Sequence, residues 1–120
     1  MEGGEILARY LFQSNQYTAS RVVKQSAFIP FPRSETSVFR KSRMSEQEYS
    51  DSKNHISRIK GKELKAVALL NVDGIAQDLG VTIVPEESEY RWHANIVGWP
   101  AEKHEQKLIA QRLAAIARLE

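Results

Sequence analysis

The chain has 120 residues, of which 42% are hydrophobic and 27% are charged, a composition typical of a globular domain. No apolar run reaches the roughly 18 residues of a membrane helix, and the first residues lack the basic-then-apolar order of a secretion signal. The absence of cysteine excludes disulfides, thiol nucleophiles and thiolate metal sites. We therefore predict a single cytoplasmic domain over residues 1–120 that does not enter a membrane.

The formal net charge is only +2, but it is unevenly distributed along the chain. Residues 1–60 contain ten Lys and Arg against six Asp and Glu, whereas residues 61–120 contain seven against nine. A basic half can face phosphate or an acidic partner, although an excess this small also fits a merely solvated surface. The positions of the cations therefore matter more than their sum.

Three patterns fall in the first third of the chain. Residues 5–12 carry apolar side chains at helical spacing, which predicts a short helix. The β-branched and aromatic run Val22–Ile29 predicts a strand that stops at Pro30, where a backbone donor is lost. Thr36–Arg40 predicts a second strand, and the two strands could pair as an antiparallel hairpin.

The middle of the chain starts with a clear helix signal. Ser45 and Glu48 have the spacing of a capping box, which predicts a helix that begins at Glu46. Its end is left open because Ser50–Asn54 is rich in poor helix formers, and we expect mobility there. The nearly continuous apolar run Leu64–Val72 predicts a buried strand.

The last third alternates helical and strand patterns. Asp73 is expected to cap a short helix over Gly74–Leu79, and Val81–Val84 then reads as a strand. Trp92–Val97 predicts a further strand, with Pro100 in the first turn of a long helix over Ala101–Leu119. Together the patterns predict a two-layer α+β domain, in which the C-terminal helix packs on a small, mostly antiparallel sheet.

His93 and Asn95 are the candidate catalytic residues. Side chains alternate along a strand, so these two share one face while Trp92, Ala94 and Ile96 form the core face. An imidazole beside a carboxamide suits proton transfer or the binding of a polar ligand. Alternatively, the pair only ties down a neighbouring loop through hydrogen bonds.

His104 could extend this site if the chain turns back after the strand. Two histidines with a nearby cation can cleave RNA without a metal, although His104 also fits an exposed position on a charged helix. His93 and His104 with Glu87, Glu89 or Glu105 are conceivable metal ligands, but they form no compact ligand motif. We therefore predict neither a metal site nor a cofactor.

A basic edge is the best binding candidate. It is defined by four cations, Arg33, Arg40, Lys41 and Arg43. Arginine forks bind phosphate, and the nearby Phe31 and Phe39 could stack on unpaired bases. Arg9, Arg21 and Lys24 could join this surface in space. The alternative is that both phenylalanines belong to the core and that Glu35, Glu46 and Glu48 neutralise the cations.

Three motifs together resemble a family of short, uncharacterised bacterial proteins. They are Ala27–Pro30, Glu35–Arg40 and His93–Pro100, the last followed by an Ala- and Leu-rich helix. The resemblance implies a bacterial or phage origin, and it brings no activity, cofactor or partner. No glycine-rich phosphate loop or nucleophile elbow points to a common enzyme class.

Our first hypothesis is a non-catalytic bacterial accessory protein that binds a partner protein or nucleic acid through the basic edge. The alternative is a small metal-independent enzyme acting on a phosphodiester or nucleotide, with His93 as base, Asn95 orienting and Arg40 holding phosphate. That reading requires His93 and Arg40 to share one cleft. A third hypothesis is a toxin-neutralising or inhibitory protein, which would show an apolar patch without a pocket. The sequence leaves open the oligomeric state and whether the protein is an enzyme.

Overall fold

A computed structural model describes residues 4–30, 35–75 and 79–120. Its strands are β1 (Ile6–Leu11), β2 (Thr36–Arg40), β3 (Ala66–Asn71), β4 (Thr82–Pro85), β5 (His93–Val97) and β6 (Arg118–Leu119), and its helices are α1 (Glu46–Lys60) and α2 (Lys103–Ile116). The six strands form one sheet in the order β4-β5-β2-β1-β3-β6. All neighbouring strands run antiparallel. Within the described ranges, neither helix is long and apolar enough to cross a membrane.

Helices cover both faces of the sheet. Helix α2 packs on one face through Ala110 and Leu113, both fully buried in the larger core cluster. Helix α1 lies on the other face, where Tyr49 and Ile56 contact a second cluster, and no residue of α1 is itself buried. The predicted α+β class, with an antiparallel sheet packed by the C-terminal helix, is confirmed, and α1 adds a layer on the opposite face.

The helix predicted over residues 5–12 is wrong, because this segment forms the interior strand β1. Leu7 and Leu11 belong to the cluster under α2, whereas Ala8 and Tyr10 belong to the cluster under α1. A strand that is covered on both faces carries apolar side chains at consecutive positions. It therefore loses the period-two pattern that distinguishes a strand from a helix.

The strand predicted over Val22–Ile29 is also wrong. This segment contains a short 3-10 helix at Gln25–Ala27, and Phe28 is fully buried in the cluster under α2. Thr36–Arg40 is a strand as predicted, but it pairs with β1 and β5, so the predicted hairpin does not form. The apolar residues of the first segment serve as core-filling loop residues.

The helix start predicted at Glu46 is confirmed. The Glu48 amide donates to Ser45 Oγ at 3.1 Å, and the Ser45 amide donates back to Glu48 Oε1 at 2.9 Å. The helix continues through the polar stretch to Lys60, after which Gly61 adopts a left-handed φ of 63°. This local capping interaction needs no tertiary context, which is why the sequence predicts it.

Helix α2 is shorter than the predicted span Ala101–Leu119. Glu102 caps it, since its carboxylate accepts from the amides of His104 and Glu105. Pro100 therefore precedes the helix rather than occupying its first turn. At the other end, Ala117 is extended and the chain continues into β6.

The cap predicted at Asp73 is corrected as well. A three-residue 3-10 helix occupies Val72–Gly74, and the Asn71 side chain accepts from the Asp73 amide at 2.9 Å. Asp73 is thus inside the turn rather than at its cap. The remainder of that predicted helix falls largely on residues 76–78, which lie outside the described residues.

The core face predicted for β5 is correct within the strand and wrong at its start. Ala94 and Ile96 are fully buried, and the Trp99 indole packs in the same cluster while donating to the Ile96 carbonyl at 2.9 Å. Trp92 does not join them. It precedes the strand with a left-handed φ of 66°, and its indole donates to Glu48 on the α1 side at 3.3 Å. Side-chain alternation does not extend through that conformation.

Candidate functional site

Both ring nitrogens of His93 are engaged. Nε2 lies 2.6 Å from Ser37 Oγ, and Nδ1 lies 2.7 Å from the Glu86 carbonyl oxygen. Because a carbonyl can only accept, Nδ1 carries the proton of the neutral ring and Nε2 is left to accept from the Ser37 hydroxyl. The Glu86 carboxylate lies 3.4 Å from the same Nδ1. We call Ser37, His93 and Glu86 the histidine site.

Strand register creates this arrangement. Phe39 is paired with His93, and Ser37 is paired with Asn95, so these side chains share the α1 face and Ser37 lies diagonally from His93. The Phe39 ring meets the imidazole edge-on at 5.3 Å. The Glu86 amide also donates to the His93 carbonyl at 2.9 Å, which holds the segment that follows β4 against the start of β5. The predicted loop-tying contact is therefore present at His93.

His93 lines a small cavity of about 110 Å³ between α1 and the sheet. Ser37, Arg9 and Lys60 supply its polar wall. The apolar wall consists of Tyr10, Phe12, Phe39, Ile56 and Tyr90. Asn95 is nearly buried and is not among the residues that line this cavity. The cavity thus joins His93 to a serine and two cations instead of to its predicted partner.

Arg9 occupies a gap between two strands. The β1–β2 ladder pairs Leu7 with Arg40 and Ala8 with Phe39 and extends no further. Beyond it, Arg9 Nε donates to the Ala27 carbonyl and Nη1 to the Ser37 carbonyl, both at 2.9 Å. The guanidinium therefore satisfies backbone carbonyls at the point where the ladder ends.

Arg9 has no carboxylate partner among the described residues. Burial lowers the pKa of Arg9 to about 10, so the side chain still carries its charge at neutral pH. A partly buried cation without a counter-charge is costly in free energy. Arg9 therefore has a physical reason to attract an anion.

A larger cleft of about 540 Å³ opens beside the cavity. Arg9, Lys60 and Lys62 line it, and we call it the cationic cleft. Its other described lining residues are Tyr10, Phe12, Gln13, Gln16, Ser26 and Ile29. None of the described lining residues is a carboxylate. Partial desolvation of the Lys60 ammonium at the cleft lowers its pKa, and the nearby charges of Arg9 and Lys62 lower it further.

The cations of the basic edge are largely engaged within the protein. Arg40 binds buried Glu5 through Nη2 at 2.7 Å and Nε at 3.3 Å, and Arg43 Nε binds the same carboxylate at 2.7 Å. The Arg40 hydrogen bond is the main cause that lowers the Glu5 pKa, with Arg43 adding to it. Lys41 lies 3.6 Å from the Glu120 carboxylate, and Arg33 lies outside the described residues.

Arg40 is not among the described residues that line the cavity beside His93. Their strands are adjacent, but Arg40 follows Phe39, so side-chain alternation places it on the opposite face from His93. Arg9 instead accompanies His93 at the cavity. Sequence reasoning missed the roles of Ser37 and Arg9, although one signal existed, namely a charged residue inside the otherwise apolar run Ile6–Leu11.

His104 does not extend the histidine site. It is exposed at the start of α2, whereas His93 lies on the face of the sheet that α1 covers. In the described ranges, no three His, Asp or Glu residues are grouped so that they could hold a metal ion. Arg21 and Lys24 are likewise not among the residues that line the cationic cleft.

The chain was compared with protein-family models, with curated proteins and with solved structures. No protein-family model matches the chain, and searches of curated proteins and of solved structures found no similar protein. The cationic cleft and the histidine site are therefore the basis on which a function can be argued.

Proposed function

We propose that this protein is a cytoplasmic bacterial accessory protein that binds single-stranded nucleic acid in the cationic cleft. One observation carries the proposal. Arg9, Lys60 and Lys62 line one cleft, and none of its described lining residues is acidic. Clusters of Lys and Arg residues bind the phosphates of nucleic acids.

The electrostatics of the cleft favour a bound anion. Arg9 and Lys62 both lower the pKa of Lys60, which means that each of them repels the Lys60 ammonium. A phosphodiester bound between them would relieve this repulsion. Arg9 is suited to the contact because its Nη2 has no hydrogen-bond partner among the described residues, while Nε and Nη1 hold the guanidinium in place.

The remaining lining residues suit a base. Phe12 is half-buried at the cleft, and the Lys60 ammonium lies 5.5 Å from its ring centre. Aromatic rings at cationic grooves stack on unpaired bases with little sequence preference, and the Gln13 side chain can hydrogen-bond to a base edge. The cleft volume of about 540 Å³ falls within the common range for small-ligand sites.

The cleft supports the proposal better than the basic edge does. Arg40 and Arg43 hold the buried Glu5 carboxylate, so their charge is already compensated within the protein. Substituting them would leave Glu5 without its partners and would disturb the fold. Lys60 and Lys62 are exposed and can be changed without that consequence.

Fluorescence anisotropy with a labelled single-stranded oligonucleotide of about 12 nucleotides tests the proposal. The double variant Lys60→Gln with Lys62→Gln should bind at least about tenfold more weakly at low salt, because each lysine that contacts a phosphate of a single strand releases about 0.7 of a counterion. The slope of log Kd against log salt should fall by about 1.4 for the same reason.

The matched control is Lys103→Gln with Lys107→Gln, which removes the same charge from exposed positions on α2. It should leave affinity and salt slope close to those of the unchanged protein. An equal loss in both variants would show that net charge alone drives binding and would contradict the cleft. Absence of binding at low salt would contradict nucleic acid as the ligand.

A further inference from the structure

We propose that Ser37 is a nucleophile activated by His93 and that the histidine site hydrolyses esters of small carboxylic acids through an acyl-serine intermediate. This activity goes beyond nucleic-acid binding and does not require it. It uses the contact between the Ser37 hydroxyl and His93 Nε2, at 2.6 Å, and the support that Glu86 gives to the other ring nitrogen.

The hydrogen-bond directions suit general-base catalysis. The Glu86 carbonyl accepts from Nδ1–H at 2.7 Å, which leaves the lone pair of Nε2 directed at the Ser37 hydroxyl. The Glu86 carboxylate, 3.4 Å from Nδ1, can stabilise the imidazolium that forms when His93 takes a proton. A nucleophile, a base and a group that orients the base are the three elements of an activated serine.

The nucleophile is accessible to solvent, whereas the base is largely shielded from it. Ser37 is exposed, so a substrate can reach its hydroxyl, whereas only 12% of the His93 side chain is exposed. The adjoining cavity of about 110 Å³ has a mainly aromatic and apolar wall. A cavity of this size fits a short acyl group rather than a large one.

The reaction would proceed in two balanced halves. Ser37 Oγ attacks the carbonyl carbon of the ester while its proton passes to His93 Nε2, and the carbonyl oxygen becomes an oxyanion. Arg9 and Lys60 line the same cavity, and their positive charges can stabilise that oxyanion. The intermediate then expels the alcohol, which leaves with the proton from His93. Water attacks the acyl-serine with His93 again as base, releasing the carboxylic acid and restoring Ser37.

Covalent labelling with an alkyl fluorophosphonate tests the nucleophile without knowledge of the natural substrate. We expect peptide mass spectrometry to locate the adduct on Ser37. Ser37→Ala should abolish the adduct and His93→Gln should reduce it at least about tenfold. Ser20→Ala is the matched control, because Ser20 is exposed and its hydroxyl lies 3.0 Å from the Thr18 hydroxyl instead of beside an imidazole.

A cysteine variant keeps the proposal testable if His93→Gln does not fold. The chain contains no cysteine, so Ser37→Cys and Ser20→Cys each introduce a single thiol. A thiol beside an imidazole ionises more readily, so Ser37→Cys should react with iodoacetamide at least about tenfold faster than Ser20→Cys at mildly acidic pH.

Two further outcomes bear on the activity itself. Hydrolysis of p-nitrophenyl acetate that is lost in Ser37→Ala and retained in Ser20→Ala would support the ester reaction. The proposal would be overturned by the absence of a Ser37 adduct, by equal labelling of Ser37 and Ser20, or by equal reactivity of the two introduced thiols. None of these results depends on binding of an oligonucleotide.

Discussion

Glu5 shows how one residue can change the meaning of a charged segment. The arginines at positions 40 and 43 look like a phosphate-binding pair in the sequence, because their counter-charge lies 35 and 38 residues away. In the folded protein, Glu5 is only 5% exposed and accepts from both of them. A buried carboxylate needs such partners, and an arginine fork supplies them in fixed geometry. These arginines therefore stabilise the fold.

Replacing Glu5 with Gln should lower the free energy of unfolding at neutral pH by about 2–4 kcal/mol, because two guanidinium groups lose their shared counter-charge. The folded-state pKa of Glu5 lies below its ordinary value of 4.5. The ionised carboxylate therefore stabilises the protein above that pH, and this contribution is lost as the pH falls through the folded-state pKa. Urea unfolding curves at several pH values measure both effects.

The gap between the unchanged protein and Glu5→Gln should accordingly shrink below pH 4.5. Glu63→Gln provides the comparison, since the Glu63 side chain is 82% exposed and pairs with Lys65 at 3.7 Å. An exposed ion pair of this kind contributes about 0–1 kcal/mol. If both substitutions cost the same, the Glu5 cluster would not be the stabilising feature that its geometry indicates.

At the scale of elements, the patterns that predicted correctly are local. The capping box at Ser45 needs only neighbouring residues, and it was readable from the sequence. The strand β1 and the loop around Phe28 were not, because their burial depends on helices and strands distant in the chain. The periodicity of apolar residues depends on how many faces of a strand or helix are covered by other elements, as well as on whether the element is a strand or a helix.

The turn after β5 depends on Gly98. This residue has a left-handed φ of 87°, and a Cβ placed on it would lie 2.8 Å from the Gly80 carbonyl oxygen. Gly98→Ala should therefore cost about 2–4 kcal/mol of unfolding free energy, combining backbone strain with a collision against a backbone atom. Chemical denaturation provides the measurement.

Gly61 separates the two causes. It also has a left-handed φ, of 63°, but a Cβ there would meet no atom within 4 Å. Gly61→Ala should lose only the conformational part, about 1–2 kcal/mol. Equal losses at both positions would mean that the close approach of Gly98 to Gly80 does not constrain this turn.

For the whole molecule, the α+β class could be predicted from alternating patterns, whereas the strand order could not. Register and order depend on pairings such as β1 with β3, which no local pattern encodes. The candidate site follows the same rule. His93 stood out by its residue type, but Ser37 and Arg9 join it only through the register of β2 and the end of the β1–β2 ladder.

The two helical layers should differ in local stability. Helix α2 is anchored by buried Leu113, whereas α1 has no buried residue and packs through Tyr49 and Ile56. In native-state hydrogen exchange monitored by NMR, the amides of α1 should open at a free energy at least about 1 kcal/mol below those of α2 and β1. The physical reason is that α1, unlike α2, has no fully buried apolar residue that anchors it to the sheet.

Removal of the α1 cap sharpens this test. Ser45→Ala should cost about 1 kcal/mol and should accelerate exchange within α1 much more than within α2. Identical opening free energies for the two helices in the unchanged protein would show that the layers unfold as one unit.

The strand order also has a consequence for self-association. One edge strand, β4, ends at Pro85, which has no amide to donate, and is followed by the charged Glu86 and Glu87. The opposite edge strand, β6, is only two residues long. Among the described residues, neither edge strand is a long, flat template on which a strand of another molecule could add. The sheet is thus protected against edge-to-edge aggregation, even though Val84 on β4 is 46% exposed.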